Sequence, residues 1–186
     1  MRPLFTVHAG EFLVGEFIER EFRSLNVWIP SKDTGVDLLV TDEHLRAKPI
    51  SLQVKLSRDY TQPEAVDALD RDAVAGGWLV ISHQKLETST ASYWVIVVVS
   101  HVRKSQPEYI IIPPRELLSK LVEIHGVSKN YHFYPWITKS GQCLQGRGVA
   151  KGDRDAIAAG TFPLGARDLR PYRNNWKFLE ELQHSL

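Results

Sequence analysis

The sequence predicts one α/β domain with a mixed central β-sheet flanked by α-helices. Residues 94–99 and 109–112 are near-continuous apolar runs, typical of central strands that are covered on both faces. Amphipathic helical patterns precede and follow these runs, and no stretch has the composition of a linker. Because 186 residues are enough for one sizeable core, we expect residues 1–186 to form a single domain.

The first third of the chain predicts a helix followed by three strands. Apolar residues recur at three- and four-residue steps over residues 8–24, which indicates an amphipathic helix. Short apolar segments at residues 27–30, 35–40 and 50–56 are bounded by glycine, proline and charged residues and therefore predict strands. The polar connection over residues 41–49 predicts that the last two strands pair as a hairpin.

The rest of the chain predicts alternating helices and strands. In chain order we expect a helix over residues 64–75, strands over residues 78–82, 94–99 and 109–112, a helix over residues 115–125, an edge strand over residues 131–136, and a helix over residues 174–183. Pro135 excludes the strand at 131–136 from the centre of a sheet. Trp176, Leu179 and Leu182 are expected on the inner side of the last helix.

Composition excludes several classes of protein. Hydrophobic residues make up 43% of the chain and charged residues 24%, which is ordinary for a soluble globular protein and unlike a disordered one. The longest apolar run is too short to cross a bilayer, and the N-terminus lacks the layout of a signal peptide, so we expect a cytoplasmic location. Cys143 is the only cysteine, which excludes an internal disulfide.

Charge is divided unevenly along the chain although the formal net charge is only +1. Residues 1–93 carry 10 Lys and Arg against 14 Asp and Glu, whereas residues 94–186 carry 13 against 8. The acidic part is suited to hold a metal and the basic part to hold a polyanion. Uneven but solvated surface charge explains the same numbers equally well.

Polar residues interrupt two of the predicted strands. Side chains alternate between the faces of a strand, so Gln53 and Lys55 point to one side while Leu52 and Val54 point to the other. If the strands pair as a hairpin, the Asp37 carboxylate joins this amide and this ammonium on one patch, which suits a divalent metal and a phosphate. The alternative is that Asp37 ends a turn and that the other two polar side chains lie on a solvated face.

At these residues the chain resembles the PD-(D/E)xK nuclease superfamily, which includes archaeal Holliday-junction resolvases and many restriction enzymes. Asp37, the segment 53–55 and Glu11 in the upstream helix carry the resemblance. Val36 stands where the motif has proline, and Gln53 replaces the second acid. The resemblance implies a restriction-endonuclease-like fold, with residues 1–100 as the catalytic core and residues 101–186 as the C-terminal part of the same domain.

The resemblance also implies a metal-dependent endonuclease that hydrolyses duplex or branched DNA with Mg²⁺ or Mn²⁺ as cofactor. Asp37 would be the main metal ligand, Glu11 would bind directly or through water, and the Gln53 amide and the Val54 main-chain carbonyl would add neutral oxygens. Lys55 would orient or deprotonate the attacking water and offset charge on the phosphate. Members that cut both strands commonly act as dimers, so a homodimer is implied.

Two alternatives stay open at this point. Glu16 competes with Glu11 as the acid of the first helix, because a helix dipole favours an acid near its start without any catalytic purpose. The replacement of the second acid by Gln53 leaves room for a second function, a catalytically inactive nucleic-acid-binding or adaptor module that retains the nuclease fold. No zinc-hydrolase, serine-hydrolase or GK[ST] phosphate-loop motif is present in the sequence.

Basic and aromatic residues are interspersed between residues 129 and 177 and predict a DNA-binding surface. We expect Arg58, Lys139, Arg147 and Lys151 to contact phosphates. Aromatic residues at this density more often belong to a core, which is the alternative. The aromatic residues of this region are Tyr131, Tyr134, Trp136, Tyr172 and Trp176, and its basic residues are Lys129, Lys139, Arg147, Lys151, Arg154, Arg167, Arg170, Arg173 and Lys177.

Overall fold

A computed structural model describes residues 8–32, 34–58, 68–100 and 106–184, which form a mixed α/β fold. The strands are β1 (Leu25–Trp28), β2 (Leu38–Asp42), β3 (Ile50–Arg58), β4 (Ala73–Gly76), β5 (Leu79–Ser82), β6 (Tyr93–Val99), β7 (Glu108–Ile112), β8 (Asn130–Phe133), β9 (Pro135–Thr138) and β10 (Cys143–Gln145). The α-helices are α1 (Ala9–Glu21), α2 (Ala68–Asp72), α3 (His83–Glu87), α4 (Pro114–His125), α5 (Arg154–Ala158) and α6 (Lys177–His184).

The central sheet has five strands in the order β1-β2-β3-β6-β7. The pair β3 and β6 is parallel, whereas the other three pairs are antiparallel. The predicted mixed sheet and the predicted hairpin of β2 and β3 are therefore confirmed. The connection between β3 and β6 carries β4 and β5, which join two smaller sheets with the orders β10-β9-β4 and β5-β8.

Alternate side chains of β6 enter two separate apolar clusters, one on each face of the central sheet. Val95 and Val97 pack with buried side chains of α1 and α6, whereas Ile96 and Val98 pack with α4 and with the two small sheets. Burial on both faces explains why this strand carries only apolar side chains over residues 94–99. Each such side chain contributes about 1.5–3 kcal/mol when it is fully buried.

The apolar run at β7 was predicted to be central, but β7 is the last strand of the sheet. Its outer edge is covered by the chain that leads into α6. The Tyr109 N–H donates to Asn174 Oδ1 (2.9 Å), the Asn174 N–H donates to the Tyr109 carbonyl (2.7 Å), and Arg173 pairs with Glu108 (2.8 Å). A continuous apolar run indicates burial of both faces, and a covered edge strand meets that condition as well as a central one.

The predicted helix over residues 64–75 is wrong in its last part. Residues 68–72 are helical, but residues 73–76 form β4, which pairs with β9. Ala73 and Ala75 are fully buried in this strand, so tertiary pairing overrides the helical propensity of alanine. Residues 64–67 lie outside the described residues.

The predicted edge strand over residues 131–136 is also wrong. It divides at Tyr134 into β8 and β9, and β9 is the middle strand of the three-stranded sheet. Pro135 is the first residue of β9, where a missing N–H is tolerated, and its carbonyl accepts the Gly77 N–H at 2.8 Å. The short strand β10 and the one-turn helix α3 were not predicted.

The longer helices agree with the sequence to within about three residues at each end. Leu179 and Leu182 are buried on the inner side of α6, as predicted, and Trp176, the residue before this helix, is buried as well. Phe12 is the exception on α1, because its side chain is 63% exposed although its spacing matches the apolar stripe. Over the described parts of the chain, every helix is too short or too polar to cross a membrane.

Candidate active site

Asp37 lies where β2 separates from β3. Its N–H donates to the Leu52 carbonyl (2.8 Å), and β2 begins at the next residue, Leu38, which faces Leu52 in the ladder. Beyond Leu52, β3 continues in parallel with β6. The chain that precedes Asp37 turns at Gly35, whose φ of 82° is in the left-handed region that favours glycine. A turn and a hairpin register therefore place this carboxylate beside the polar part of β3.

Where the pairing of β2 with β3 ends, the Asp37 side chain supplies the hydrogen-bond acceptor for the next backbone N–H of β3. Its Oδ2 atom accepts a hydrogen bond from the Val54 N–H (2.7 Å) and another from the side-chain amide Nε2 of Gln53. Asp37 is 8% exposed and Gln53 is 9% exposed, so both hydrogen bonds are shielded from bulk water. Hydrogen bonds to an ionised acceptor are about twice as strong as neutral ones. The carboxylate is consequently held in one position.

Lys55 extends from the same face of β3 as Gln53. Its Nζ donates to the Val54 carbonyl (3.2 Å) and lies 5.6 Å from the centre of the Trp94 ring on the neighbouring strand β6. The aromatic face attracts the ammonium and restricts where it goes. Lys55 lines two clefts, and Asp37 lines the same two. The two residues therefore belong to one patch.

Glu11 reaches this patch from the first turn of α1. Its side chain is 6% exposed, and its Oε2 accepts the His8 N–H (3.2 Å). This hydrogen bond also caps the start of α1. A methyl group on Gly10 would lie 2.9 Å from Leu56 Cβ and 3.3 Å from Val54 Cγ1. Only glycine at this position allows α1 to approach β3 so closely, and the approach brings Glu11 beside the strand.

The first of the two clefts has a volume of about 430 Å³ and brings together Glu11, Asp37, Val54 and Lys55. His8, Ala9, Gly10 and Leu56 complete its lining. Glu16, the competing acid of α1, lines a different groove with Phe12 and forms an ion pair with Arg20 (2.8 Å). The structure thus places Glu11 in the cleft with Asp37 and turns Glu16 elsewhere.

The second cleft, of about 280 Å³, is polar and opens on the other side of the same two residues. It adds Lys85, together with the hydroxyl-bearing segment 88–90, to the lining by Asp37, Gln53 and Lys55. Lys85 belongs to α3, which Ser82 caps by accepting the Lys85 N–H at 3.4 Å. Lys85 was not expected at the site because α3 was not predicted. The capping serine at the end of β5 is the signal in the sequence that marks this helix.

The oxygen atoms around the first cleft are of the kind that Mg²⁺ and Mn²⁺ prefer. They comprise the carboxylates of Asp37 and Glu11 and the Val54 carbonyl, whereas the Gln53 amide lines the second cleft. No cluster of three His, Cys, Asp or Glu side chains suited to a metal occurs among the described residues. A metal here would therefore rely on two carboxylates, neutral oxygens and its own waters, which suffices for Mg²⁺.

Gln53 is the group whose orientation matters most for such a site. Its Nε2 is directed to Asp37, and its Oε1 is directed toward Gly35. An amide that offered its oxygen to a metal would have to rotate and give up the hydrogen bond to Asp37. The donor set fits a divalent metal, with Gln53 as the ligand that requires a rearrangement.

Cys143 takes no part in this chemistry. It is fully buried in the apolar cluster beneath the small sheets. Burial raises the pKa of its thiol to about 12, so the thiolate nucleophile is scarce at neutral pH.

The predicted DNA-contacting residues lie in several places. Lys139, Arg147 and Lys151 are exposed, whereas the side chain of Arg58 lies outside the described part of the chain. Arg147 stacks over the ring of Tyr134 at 5.3 Å and donates to its hydroxyl (3.3 Å).

Several other basic residues of this region have structural roles. Arg170 forms an ion pair with Asp168 (2.6 Å), which lowers the pKa of that carboxyl, and Arg167 donates to the carbonyls of Gln145 and Arg147. Among the aromatic residues, Tyr131 is 2% exposed and Trp176 is 5% exposed. These two rings belong to the core, so the prediction that they form part of a binding surface is wrong for them.

No protein-family model, curated protein or solved structure matches this chain.

Proposed function

We propose that the protein is a divalent-metal-dependent endonuclease that hydrolyses DNA phosphodiester bonds, on a restriction-endonuclease-like fold. The hydrogen bond from the Val54 N–H to the Asp37 carboxylate, at the point where β2 and β3 separate, carries this proposal. It fixes an acid beside a lysine of the neighbouring strand, which is the arrangement that resemblance to the PD-(D/E)xK superfamily implies. The five-stranded mixed sheet with α1 packed against β3 supports the same fold.

Four groups would hold the metal: the Asp37 carboxylate, the Glu11 carboxylate, the Val54 carbonyl and, after rotation of its amide, Gln53. A bound Mg²⁺ or Mn²⁺ would stabilise charge on the phosphate and make a bound water more acidic. Asp37 is prepared for this role because two hydrogen bonds hold its carboxylate in place. Preorganised charge contributes more to catalysis than charge that must first be oriented.

Lys55 acts on the water and on the phosphate. Its ammonium donates to the Val54 carbonyl, so it stands next to one of the proposed metal-binding groups. From there it can orient the attacking water and offset negative charge as the phosphorus–oxygen bond breaks.

Lys85 and residues 88–90 line the second cleft, and their ammonium and hydroxyl groups would hold the DNA backbone on that side of Asp37. Hydroxyl and ammonium groups are common phosphate contacts, and they position the strand without reading its sequence. Exposed Lys139, Arg147 and Lys151 would add phosphate contacts farther away. A homodimer would present two such sites, one for each strand of a duplex.

The test is cleavage of supercoiled plasmid and of branched DNA in the presence of Mg²⁺ or Mn²⁺. Asp37→Asn and Lys55→Ala are expected to abolish cleavage with the fold intact, because they remove the fixed acid and the ammonium. Lys85→Ala is expected to raise KM with little change in kcat. Asp155→Asn and Lys48→Ala alter exposed charges outside the clefts and serve as matched controls. Undiminished cleavage by both Asp37→Asn and Lys55→Ala would remove the site from consideration.

One observation favours a second candidate, a catalytically inactive nucleic-acid-binding or adaptor module. The Gln53 amide donates to the Asp37 carboxylate and thus satisfies this acid without a metal. Calorimetric titration with Mn²⁺ separates the two candidates. A nuclease gives heat of binding that Asp37→Asn removes, whereas an adaptor gives no Asp37-dependent heat and binds DNA equally well in EDTA.

A further inference from the structure

A buried tryptophan lies beside the proposed catalytic lysine. Trp94 is the first buried residue of β6 and is 2% exposed. It pairs with Gln53 across the parallel strands β3 and β6. Paired residues of neighbouring strands direct their side chains to the same face, so Trp94 lies on the face of β3 that carries Gln53 and Lys55. The Lys55 ammonium is 5.6 Å from the centre of the indole, within the range of a cation–π contact.

A single hydrogen bond orients this indole. Trp94 Nε1 donates to Ser89 Oγ at 2.9 Å. A buried indole N–H requires such an acceptor. Because the N–H bond lies in the plane of the ring, the hydrogen bond occupies the ring edge and leaves the ring face to the ammonium. The position of Ser89 therefore determines which way the indole faces.

Ser89 belongs to the segment between α3 and β6, and this segment is tied to β3. The Ser92 N–H donates to the Ser51 carbonyl at 2.8 Å, and Ser51 Oγ donates to the Thr90 carbonyl at 3.3 Å. Ser51 lies on β3, the strand that also carries Gln53 and Lys55. Hydrogen bonds on both sides of the contact thus hold Ser89 at a defined place relative to the candidate active site.

Ser89 also lines the second cleft, together with Lys55 and Lys85. A serine hydroxyl is both an acceptor and a donor of hydrogen bonds. Its oxygen accepts the Trp94 N–H, and no acceptor for its own proton occurs in the part of the chain that the structure describes. The hydroxyl can therefore donate to a phosphate oxygen in this cleft, a contact that serine side chains commonly make with DNA.

We propose, on the basis of the proposed nuclease function, that Ser89 binds a phosphate of the DNA strand in the second cleft and that the same hydroxyl, through the Trp94 indole, positions Lys55. Trp94 is then a positioning residue, because it acts on the reaction only through the ammonium. Ser89 serves both binding and reaction, because it contacts the phosphate and orients the ring. The two clefts are thereby linked through one hydroxyl and one indole.

The position of Lys55 is tested first, in EDTA and without DNA. A methylene group next to an ammonium that lies over an aromatic face is shielded by the ring, so its protons resonate upfield of those of exposed lysines. Heteronuclear NMR spectra of lysine-labelled protein measure this shift, and Lys55→Arg identifies the signal. We expect an upfield Lys55 Cε signal in the wild type, its return to the ordinary position in Trp94→Leu, and a partial shift in Trp94→Phe.

Cleavage kinetics with Mg²⁺ are measured second. Trp94→Leu is expected to lower kcat by about twofold to thirtyfold, the range that corresponds to one cation–π contact, with KM unchanged. Trp94→Phe also loses part of the buried indole but retains an aromatic face, so it should keep more of kcat. Ser89→Ala should raise KM and lower kcat together, because the phosphate contact and the acceptor of the indole N–H are both removed.

Two control variants separate these effects from general damage to the fold. Trp176→Leu removes a buried indole from the apolar cluster on the opposite face of the central sheet. Ser128→Ala removes an exposed hydroxyl. Both are expected to keep the kcat and KM of the wild type. If Trp94→Leu does not fold, Ser89→Ala still tests the proposal, because it leaves the apolar clusters intact.

Two outcomes overturn the proposal. A wild-type Lys55 Cε signal at the position of exposed lysines shows that the indole does not hold the ammonium. Equal kcat of wild type, Trp94→Leu and Ser89→Ala shows that the reaction does not depend on this pair. A wild-type protein that cuts no DNA with Mg²⁺ or Mn²⁺ overturns the nuclease function instead, and the NMR spectra then still decide whether Trp94 holds Lys55.

Discussion

The Asp37 carboxylate accepts the backbone N–H of Val54 at 2.7 Å, while the N–H of Asp37 donates to the Leu52 carbonyl at 2.8 Å. One residue thus continues the pairing of β2 with β3, first through its backbone and then through its side chain. The same carboxylate is the central acid of the proposed site. A structural role and the proposed catalytic role therefore meet at this position.

Replacement of Asp37 should separate its two roles. Asp37→Ala leaves the buried Val54 N–H without its acceptor, and we expect the free energy of unfolding to fall by about 1–3 kcal/mol. Asp37→Asn retains an oxygen acceptor and should cost less, although both variants lose metal binding. Urea denaturation measures the difference, with Asp155→Ala at an exposed acid as the control. Equal stability of the Ala and Asn variants would contradict a structural role for the carboxylate.

Gln53→Glu should strengthen metal binding and weaken the metal-free fold. The new carboxylate lies against Asp37, and two such charges about 4 Å apart repel by roughly 4 kcal/mol at an effective dielectric constant of about 20. We expect the melting temperature to fall in EDTA and to rise above that of the wild type with Mn²⁺. Gln84→Glu, at an exposed glutamine of α3, controls for added charge. A variant that Mn²⁺ does not stabilise more than wild type would argue against a metal at this position.

Two glycines of α1 should respond in opposite directions to the same substitution. At Gly10 a methyl group would lie 2.9 Å from Leu56 Cβ, so Gly10→Ala should cost about 1–3 kcal/mol and move Glu11 away from the cleft. At Gly15 the nearest atom would be Val27 Cγ1 at 3.8 Å, an ordinary contact, so Gly15→Ala should gain about 0.5–1 kcal/mol. Thermal unfolding and Mn²⁺ titration measure both effects. Similar behaviour of the two variants would show that α1 does not depend on close contact with β3.

Stability should fall at acidic pH through Asp42. Its carboxylate accepts the N–H groups of Ala47 (2.7 Å), Arg46 (3.1 Å) and His44 (2.8 Å), and these hydrogen bonds lower its pKa below the ordinary value of 3.8. A lowered folded-state pKa contributes stability above the unfolded value, and that contribution is lost as the pH falls through the folded value.

The measurement is the melting temperature of wild type and of Asp42→Asn as a function of pH. We expect the variant to melt at a lower temperature than the wild type at neutral pH. This difference in melting temperature should disappear below about pH 4, near the unfolded-state pKa. Glu43→Gln, at an exposed acid next to it, should retain the pH dependence of the wild type. A difference in melting temperature that stays constant down to the lowest pH would show that the pKa of Asp42 does not change on folding.

Local patterns were sufficient for the elements that bury a regular face. The period of α1 and the alternation in β3 follow from chain geometry, and both elements lie within a few residues of the predicted bounds. The local pattern predicted the wrong secondary structure where pairing with a distant strand determines the conformation. Residues 73–76 have helical propensity but pair with β9, and Pro135 lies in a middle strand because its position there needs no N–H donor.

The sequence by itself determined that Gln53 and Lys55 share one face of a strand and that Asp37 stands next to the neighbouring strand, because alternation and a hairpin are local properties. Only the tertiary structure decided between Glu11 and Glu16, since both lie on one helix and the contact of Gly10 with β3 selects the first. It also brought Lys85 to the second cleft from a later part of the chain. Contacts between residues distant in sequence depend on how the helices pack against the sheets, and the local periodicity of the sequence does not specify that packing.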